Sequence, residues 1–328
     1  MRYQIVTTLG PASATETGWE ALLASGASAF RLNTSHLSLQ QAAEWLGRLQ
    51  IFRMAFQSRQ GVWFPVILDL QGSKWRLGEF EARQLVAGQT AILVPGERTA
   101  HPEEIPVPHT DFFQAASLSS GEIVLNDARV RLQVEQIENG SIQARVTQGG
   151  EVAPRKGITF PNSTYRKESL STRDEEMRRL AEGLEFVRFA LSYVRDGLEM
   201  RAYRQIFGAE AYLIAKIERG PAVEDVINIV GSADELWLAR GDLGAELGLS
   251  AMAEAVFHFS ALPRQLPVPV LMAGQVLEHM KEHPYPTRSE ICDLYASLQQ
   301  GYAGVVLSDE TAIGQYPVES SRTAAMFL

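Results

Sequence analysis

Short runs of nearly continuous apolar residues alternate along the chain with longer stretches in which apolar positions recur at helical spacing. The apolar runs are Tyr3–Leu9, Ser28–Asn33, Pro65–Leu70, Val187–Ser192, Tyr212–Ile217, Glu235–Ala239, Val268–Ala273 and Gly304–Ser308. Uninterrupted runs of this kind are expected of parallel strands covered on both faces, whereas half-exposed strands alternate. Helical patterns lie between them at Thr15–Ser25, Ser38–Gln57, Thr172–Leu184, Gly197–Ile206, Ala222–Gly231, Ala251–Leu262, Gln275–Glu282 and Ser289–Gln299, and a last one begins near Val318. Strand followed by helix, eight times over, predicts an α/β protein built as a (β/α)8 TIM barrel. A doubly wound open sheet shares this alternation, because periodicity does not report closure.

One region breaks the rhythm. From Gly78 to Arg155 there is no long helical pattern, but Val130, Leu132 and Val134 alternate, as do Ile142, Ala144 and Val146. Between them sits Asn139-Gly140, a favoured hairpin turn because both residues tolerate positive φ. The region reads as a small all-β domain, residues 78–155, inserted into a barrel domain of residues 1–77 and 156–328. Without the insertion about 250 residues remain, the usual size of one barrel.

Composition narrows the class. With 45% hydrophobic and 21% charged residues among 328, the chain can bury a core and is neither disordered nor dependent on disulfides. The net charge of −9 argues against nucleic acid as a partner, since phosphate neutralisation needs a basic field. It leaves room for small anions bound in a local basic pocket. A single cysteine, Cys292, allows no internal disulfide and fits a reducing cytoplasm; it is expected as a buried thiol on its helix. The N-terminal apolar stretch is too short for a signal peptide and no run approaches 18 apolar residues, so no membrane span is expected. The sequons at Asn139 and Asn162 are then incidental, and the five tryptophans are expected to serve packing.

In a β/α barrel, functional groups come from the C-terminal ends of strands and the loops beyond them. Those positions hold Arg31, Asn33 and Ser35; Asp69, Lys74 and Arg76; Ser192; Lys216 and Glu218; Arg240 to Asp242; and Ser308. Cations mixed with carboxylates suit a metal-assisted reaction on an anionic substrate. In Lys216-Ile217-Glu218, the strand period of two sends Lys216 and Glu218 to one face. The apolar run before them argues against an ordinary surface ion pair. Asp242 follows the next strand, and two carboxylates on adjacent strands can hold Mg²⁺, which prefers oxygen ligands. The plainer alternative for Asp242 is a helix N-cap; for Lys74 it is simple exposure.

These segments resemble a known family. Thr8-Leu9-Gly10-Pro11-Ala12-Ser13, Arg31-Leu32-Asn33-Thr34-Ser35-His36 and Asp69-Leu70-Gln71-Gly72-Ser73-Lys74-Trp75-Arg76 are similar to the first signature segments of pyruvate kinases. Ala215-Lys216-Ile217-Glu218-Arg219, Ala239 through Gly244, Pro286-Thr287-Arg288-Ser289-Glu290 and Leu307-Ser308-Asp309-Glu310-Thr311-Ala312 continue the match in family order. The resemblance implies that the β insertion is a lid over the barrel mouth. It also implies that the family's usual C-terminal domain is absent, the chain stopping at Leu328 within the helix after strand eight.

The resemblance further implies transfer of a phosphoryl group from phosphoenolpyruvate to ADP or another nucleoside diphosphate, giving pyruvate and ATP. Glu218 and Asp242 would bind Mg²⁺ or Mn²⁺, and Lys216 would stabilise charge on the transferring group with Arg31. Arg240, Gly241, Asp242, Ser192 and Gly274 would line the substrate, while Arg31, His36, Arg76 and Lys156 would face the nucleotide. Asn33, Ser35, Asp69 and the Leu70 carbonyl match a monovalent-cation site. Lys74 stands where many members carry Glu; members with Lys there resemble the group that needs no K⁺, a tethered ammonium supplying the ion's charge. A homo-oligomer through barrel faces is a further expectation.

One departure stands out. After strand seven the family has Ala-Thr-Gln where this chain has Ala273-Gly274-Gln275, so the hydroxyl implicated in protonating the enolate is gone. The alternatives this opens are a Mg²⁺-dependent lyase or aldolase acting on pyruvate or a 2-oxo acid, and a non-catalytic paralogue.

Overall fold

The fold is described from a computed structural model, for residues 3–116, 121–126, 129–138, 140–160 and 170–328. Eight parallel strands close into a barrel: Gln4–Thr8, Ala29–Asn33, Val66–Leu70, Val187–Leu191, Leu213–Ile217, Glu235–Ala239, Val270–Ala273 and Gly304–Leu307. Strand one pairs with both strand two and strand eight, which excludes the open sheet. Each apolar run is therefore buried on two sides, against the barrel interior and against the outer helices. Val6, Ala29, Ile67, Ala190, Ile214, Trp237, Leu271 and Val306, one from each strand, pack together. Between barrel and helices, Trp19, Phe30, Phe52, Phe56 and Phe64 form a cluster with ring centroids 5.0–6.5 Å apart, a spacing that favours aromatic pairs.

The chain divides into two compact units, one of Met1–Gly72, Ser169–Arg240 and Glu254–Leu328, the other of Ser73–Glu168 and Gly241–Ala253. The barrel strands lie in the first. In the second, a six-stranded sheet runs in the order Ile158–Thr159, Glu122–Leu125, Val130–Glu138, Ser141–Gln148, Thr90–Pro95, Glu104–Val107. A two-stranded sheet pairs Arg83–Leu85 with Gly150–Val152. The alternating residues behave as their period requires: Leu132 faces Val146 and Val134 faces Ala144 across the antiparallel pair, all four buried. Gly140 takes φ +77° at the turn; Asn139 lies outside the described residues, as do the Asn162 sequon and Met1-Arg2.

Several helical readings need correction. Ala222–Gly231 is two short helices, Gly220–Glu224 and Val226–Ile229, parted at Asp225. Only a 3₁₀ turn, Glu278–Lys281, forms within Gln275–Glu282. Gln275 sits at φ +53°, so no right-handed helix can start there. An unforeseen helix, Arg240–Leu247, was masked by Gly241 and Gly244, which dilute the helical signal. Cys292 is exposed rather than buried, because its position on helix Arg288–Gln300 faces away from buried Leu294 and Ser297. Trp63 is 48% exposed and carries the Arg53 and Arg188 guanidinium groups over its ring. Among the described residues, no helix is long and apolar enough to cross a membrane.

Candidate active site

Strands two to five bring four charged side chains together at their C-terminal ends. Arg31, in the buried stretch of strand two, binds Asp69 of strand three through Nε and Nη2, each 2.7 Å from Oδ2. Its Nη1 donates to Thr8 Oγ1 at 2.8 Å, and that hydroxyl donates to the Leu307 carbonyl of strand eight. Lys216 on strand five reaches three acceptors: Asp69 Oδ2 at 3.2 Å, Glu218 Oε1 at 2.8 Å and Ser192 Oγ at 2.9 Å. Ser192 in turn donates to Asp69 Oδ1. The period-two reading of Lys216 and Glu218 therefore corresponds to a direct ion pair, with Ile217 turned into the core.

Burial is what gives this cluster its character. Asp69 and Glu218 are 2% and 0% exposed, and isolated buried carboxylates are costly unless paired. Burial alone would raise the Asp69 pKa; Lys216 and Arg31 outweigh it and hold the carboxyl below its usual range. Glu218 Oε2 accepts the Tyr193 backbone N–H at 2.7 Å, a geometry secured by Tyr193's positive φ of +60°. Anions and cations are thus fixed in place before any ligand arrives, which is the condition for electrostatic preorganisation.

The turn after strand three has its own support. Both Asp174 oxygens accept backbone N–H groups, from Gln71 at 2.9 Å and Gly72 at 3.0 Å. Gly72 sits at φ +65°, and a Cβ there would strike the Ser192 backbone, so no other residue fits this turn. Arg173 donates to the carbonyls of Thr34 and Leu37, anchoring the 3₁₀ turn Thr34–His36. Asn33 Oδ1 caps that turn on Ser35 N–H and stands in register with Asp69. Asn33, Ser35 and Asp69 thus share neighbouring strand ends, while His36 is exposed.

Past strand seven, Gly274 adopts φ +85° and Gln275 +53°. Their carbonyls accept from Arg240 Nε and Nη2 at 3.1 Å each, and Arg240 Nη1 pairs with Asp293 at 2.6 Å. The threonine-to-glycine departure is therefore more than a missing hydroxyl. The backbone follows a left-handed path that a β-branched residue adopts only with strain. Glu310 pins the same loop, accepting from Leu277 N–H at 3.0 Å and Ser308 N–H at 2.7 Å; its burial pushes the carboxyl up.

In the second unit, the segment from Lys74 to Leu77 runs antiparallel to 156–158, with Arg76 bridged to Gly157 and Leu77 N–H on the Lys156 carbonyl. Arg76 and Lys156 are brought together there, Arg76 Nη1 donating to the Arg155 carbonyl at 3.1 Å. Lys74 is buried rather than exposed and forms an ion pair with Asp242. Asp242 lies in the first turn of helix Arg240–Leu247 rather than at its N-cap. Sequence reasoning missed Thr8, Arg173, Asp174, Asp293 and Glu310. Thr8 and Glu310 stand within family motifs but carry no role there; Arg173, Asp174 and Asp293 carry no spacing signal, since their partners are distant in sequence.

A closed β/α barrel with buried arginine, lysine and carboxylates at the C-terminal ends of its strands has fixed charge where enzymes of this fold carry their functional groups. The family description "pyruvate kinase, barrel domain" matches residues 1–321. Pyruvate kinase of Methylorubrum extorquens is 32% identical over 326 residues, covering 98% of this chain and 67% of the relative. Pyruvate kinase of Agrobacterium vitis is 32% identical over 97% of this chain and 66% of its own length; that of Mycobacterium tuberculosis is 30% identical over 100% and 69%. The chain spans about two thirds of the length of these relatives. It belongs to the pyruvate kinase family.

Proposed function

We propose that the chain is a cytoplasmic phosphotransferase that moves the phosphoryl group of phosphoenolpyruvate to a nucleoside diphosphate, with Glu218 and Asp242 holding a divalent cation. The observation that carries this reading is the buried Lys216 ammonium, held by Glu218, Asp69 and Ser192 at the C-terminal ends of the barrel strands. The donor chemistry fits the ion: both groups are carboxylates, the hard oxygen ligands that Mg²⁺ or Mn²⁺ selects, and Mg²⁺ usually takes one or two of them plus substrate oxygens and water. When bound, such a cation supplies charge neutralisation on phosphoryl and carboxylate oxygens.

The chain's own residues do the rest. Lys216 offers a preorganised positive charge to the phosphoryl oxygens, and Arg31, fixed by Asp69 and Thr8, offers a second. The first-turn N–H groups of helix Arg240–Leu247, at Gly241 and Asp242, receive the substrate carboxylate. Ser192 keeps Lys216 oriented. Arg76 and Lys156, on paired segments, take the nucleotide phosphates with His36. Water delivers the proton at the position of Gly274, which has no hydroxyl. Residues 78–155 act as an inserted domain within the barrel domain of 1–77 and 156–328. Lys74 supplies a fixed cation, so K⁺ is not required.

A coupled assay for pyruvate and ATP, with Mg²⁺ or Mn²⁺ and with or without K⁺, tests this. Turnover that is indifferent to K⁺ is expected. No turnover with any divalent cation or nucleotide overturns the reading, and metal-dependent release of pyruvate from a 2-oxo acid would put a lyase in its place.

A further inference from the structure

Lys74 is an unusual lysine. Its side chain is 8% exposed, while that of its partner Asp242 is 25% exposed. The backbone that carries it is fixed on both sides of the paired segments. Trp75 and Ile158 are both packed in the hydrophobic core of the second unit, and Ile158 N–H donates to the Trp75 carbonyl at 3.0 Å. The stem of Lys74 crosses directly over Gly157: the atoms nearest to a Cβ on Gly157 would all belong to the Lys74 side chain, Cε, Nζ and Cδ. The missing side chain of Gly157 is what leaves a path for the lysine. Gly157 is not among the glycines at positive φ, so its backbone conformation does not itself demand glycine.

We propose that Lys74 is the resident counter-ion of Asp242, and that Gly157 is the positioning residue that keeps it there. The inference rests on the reading of Asp242 as a carboxylate of the divalent site. An ammonium already bound to that carboxylate repels an arriving dication and must be displaced from it or share it. Between the effective dielectric of a partly buried site and that of water, two charges about 4 Å apart interact strongly enough to shift an affinity by about fivefold to a thousandfold, and the low end applies to a flexible lysine that can swing aside. Lys74 therefore sets the affinity for the divalent cation as well as the local charge. The lysine keeps the carboxylate neutralised when no metal is present, and it makes metal binding weaker than a bare carboxylate would give.

The test is a titration of the full chain with Mn²⁺ alone, without nucleotide or phosphoenolpyruvate, read from the electron paramagnetic resonance signal of unbound Mn²⁺. K74M, which keeps the stem and removes the charge, is expected to bind Mn²⁺ about tenfold more tightly than the wild type. G157A is expected to move affinity in the same direction, because the flexible lysine yields to the added methyl group before the packed backbone does. In the double variant G157A should add nothing, since the lysine charge it displaces is already gone. D242N should abolish the difference that K74M makes, leaving D242N and the K74M/D242N double variant alike. Unchanged or weaker Mn²⁺ binding by K74M overturns the proposal, as does absence of Mn²⁺ binding in every variant. A G157A effect that persists beside K74M removes Gly157 from it. Thermal melts of each variant separate misfolding from lost competition, and K74R, which keeps the charge, should stay near the wild type. The titration is independent of catalysis: a K74M shift without phosphotransfer sustains the ion-pair role and defeats the phosphotransfer reading alone.

Discussion

Asp69 and Glu235 are two buried carboxylates at opposite ends of the same barrel, and they are treated in opposite ways. Asp69, at the C-terminal end of strand three, is gripped by the Arg31 guanidinium and the Lys216 ammonium and is held below the usual carboxyl range. Glu235 opens strand six at the N-terminal end and accepts from neutral donors. These are Trp237 Nε1 at 2.6 Å, Tyr212 OH at 3.0 Å and Gln4 Nε2 at 3.1 Å. Its nearest guanidinium, on Arg188, stands 3.9 Å away and stacks over the Tyr212 ring. Burial pushes Glu235 up and those donors only partly offset it. The difference teaches a division: one end gathers paired fixed charges, and the other satisfies a buried polar group to hold the fold. That division matches the general separation of catalytic and stabilising faces in β/α barrels.

The largest break in this contrast is removal of the cation at the mouth. K216M should lower turnover by about 10²–10³-fold while the fold persists, measured as kcat in the coupled assay beside a denaturant melt. Activity within a few-fold of wild type would detach the buried lysine from the chemistry. D69N strands Arg31 and Lys216 without their carboxylate, and should cost about 3 kcal/mol of stability at neutral pH. Because the folded Asp69 pKa is depressed, its contribution is full above the unfolded value of about 3.9 and drains as pH falls toward its folded value. The gap between wild type and D69N in urea melts should therefore close below about pH 4.

G274T sharpens the picture of the mouth itself. Placing a β-branched residue at φ +85° should cost about 1–2 kcal/mol. A restored hydroxyl is therefore expected to lower the melting temperature, and to give no gain in turnover while the Arg240 latch holds the loop. A neutral or stabilising result would mean that the loop re-forms around threonine. E235Q should have the smallest effect, within about 1 kcal/mol, since the Tyr212 hydroxyl can turn to accept from the new amide. Its sign is opposite to that of D69N. The folded Glu235 pKa is raised, so its contribution is full below about pH 4.3 and is lost as pH rises through the folded value. E235Q should gain on the wild type with rising pH, and a parallel pair of curves would refute the account.

Much of this is legible in the chain itself. The eight strands follow from apolar runs, because a strand covered on both faces is apolar along most of its length. The Lys216–Glu218 pair follows from period two, and the Leu132–Val146 hairpin pairing from simple alternation. The misread elements had local causes of another kind. Gln275 at positive φ blocked a helix that its composition would allow, and Gly241 and Gly244 hid one that the backbone forms anyway. Cys292 is exposed because facing within a helix depends on which neighbour covers it.

The sequence by itself determined where the eight strands lie along the chain, the chemistry at the strand ends and the family, since each rests on residues close together or on motifs in fixed order. Only the tertiary structure decided which groups meet. Asp174 reaches back 102 and 103 positions to clamp Gly72 and Gln71, and Lys74 crosses Gly157 to reach Asp242. Arg240 is fastened by two carbonyls of a left-handed turn. Pairing of neighbouring barrel strands, three with four and six with seven, decided the first and third of these, pairing of segments 74–77 and 156–158 set up the second, and no local period encodes contacts between such distant residues. The charge of each group was written in the chain; its partner, and hence its pKa and its task, came from burial.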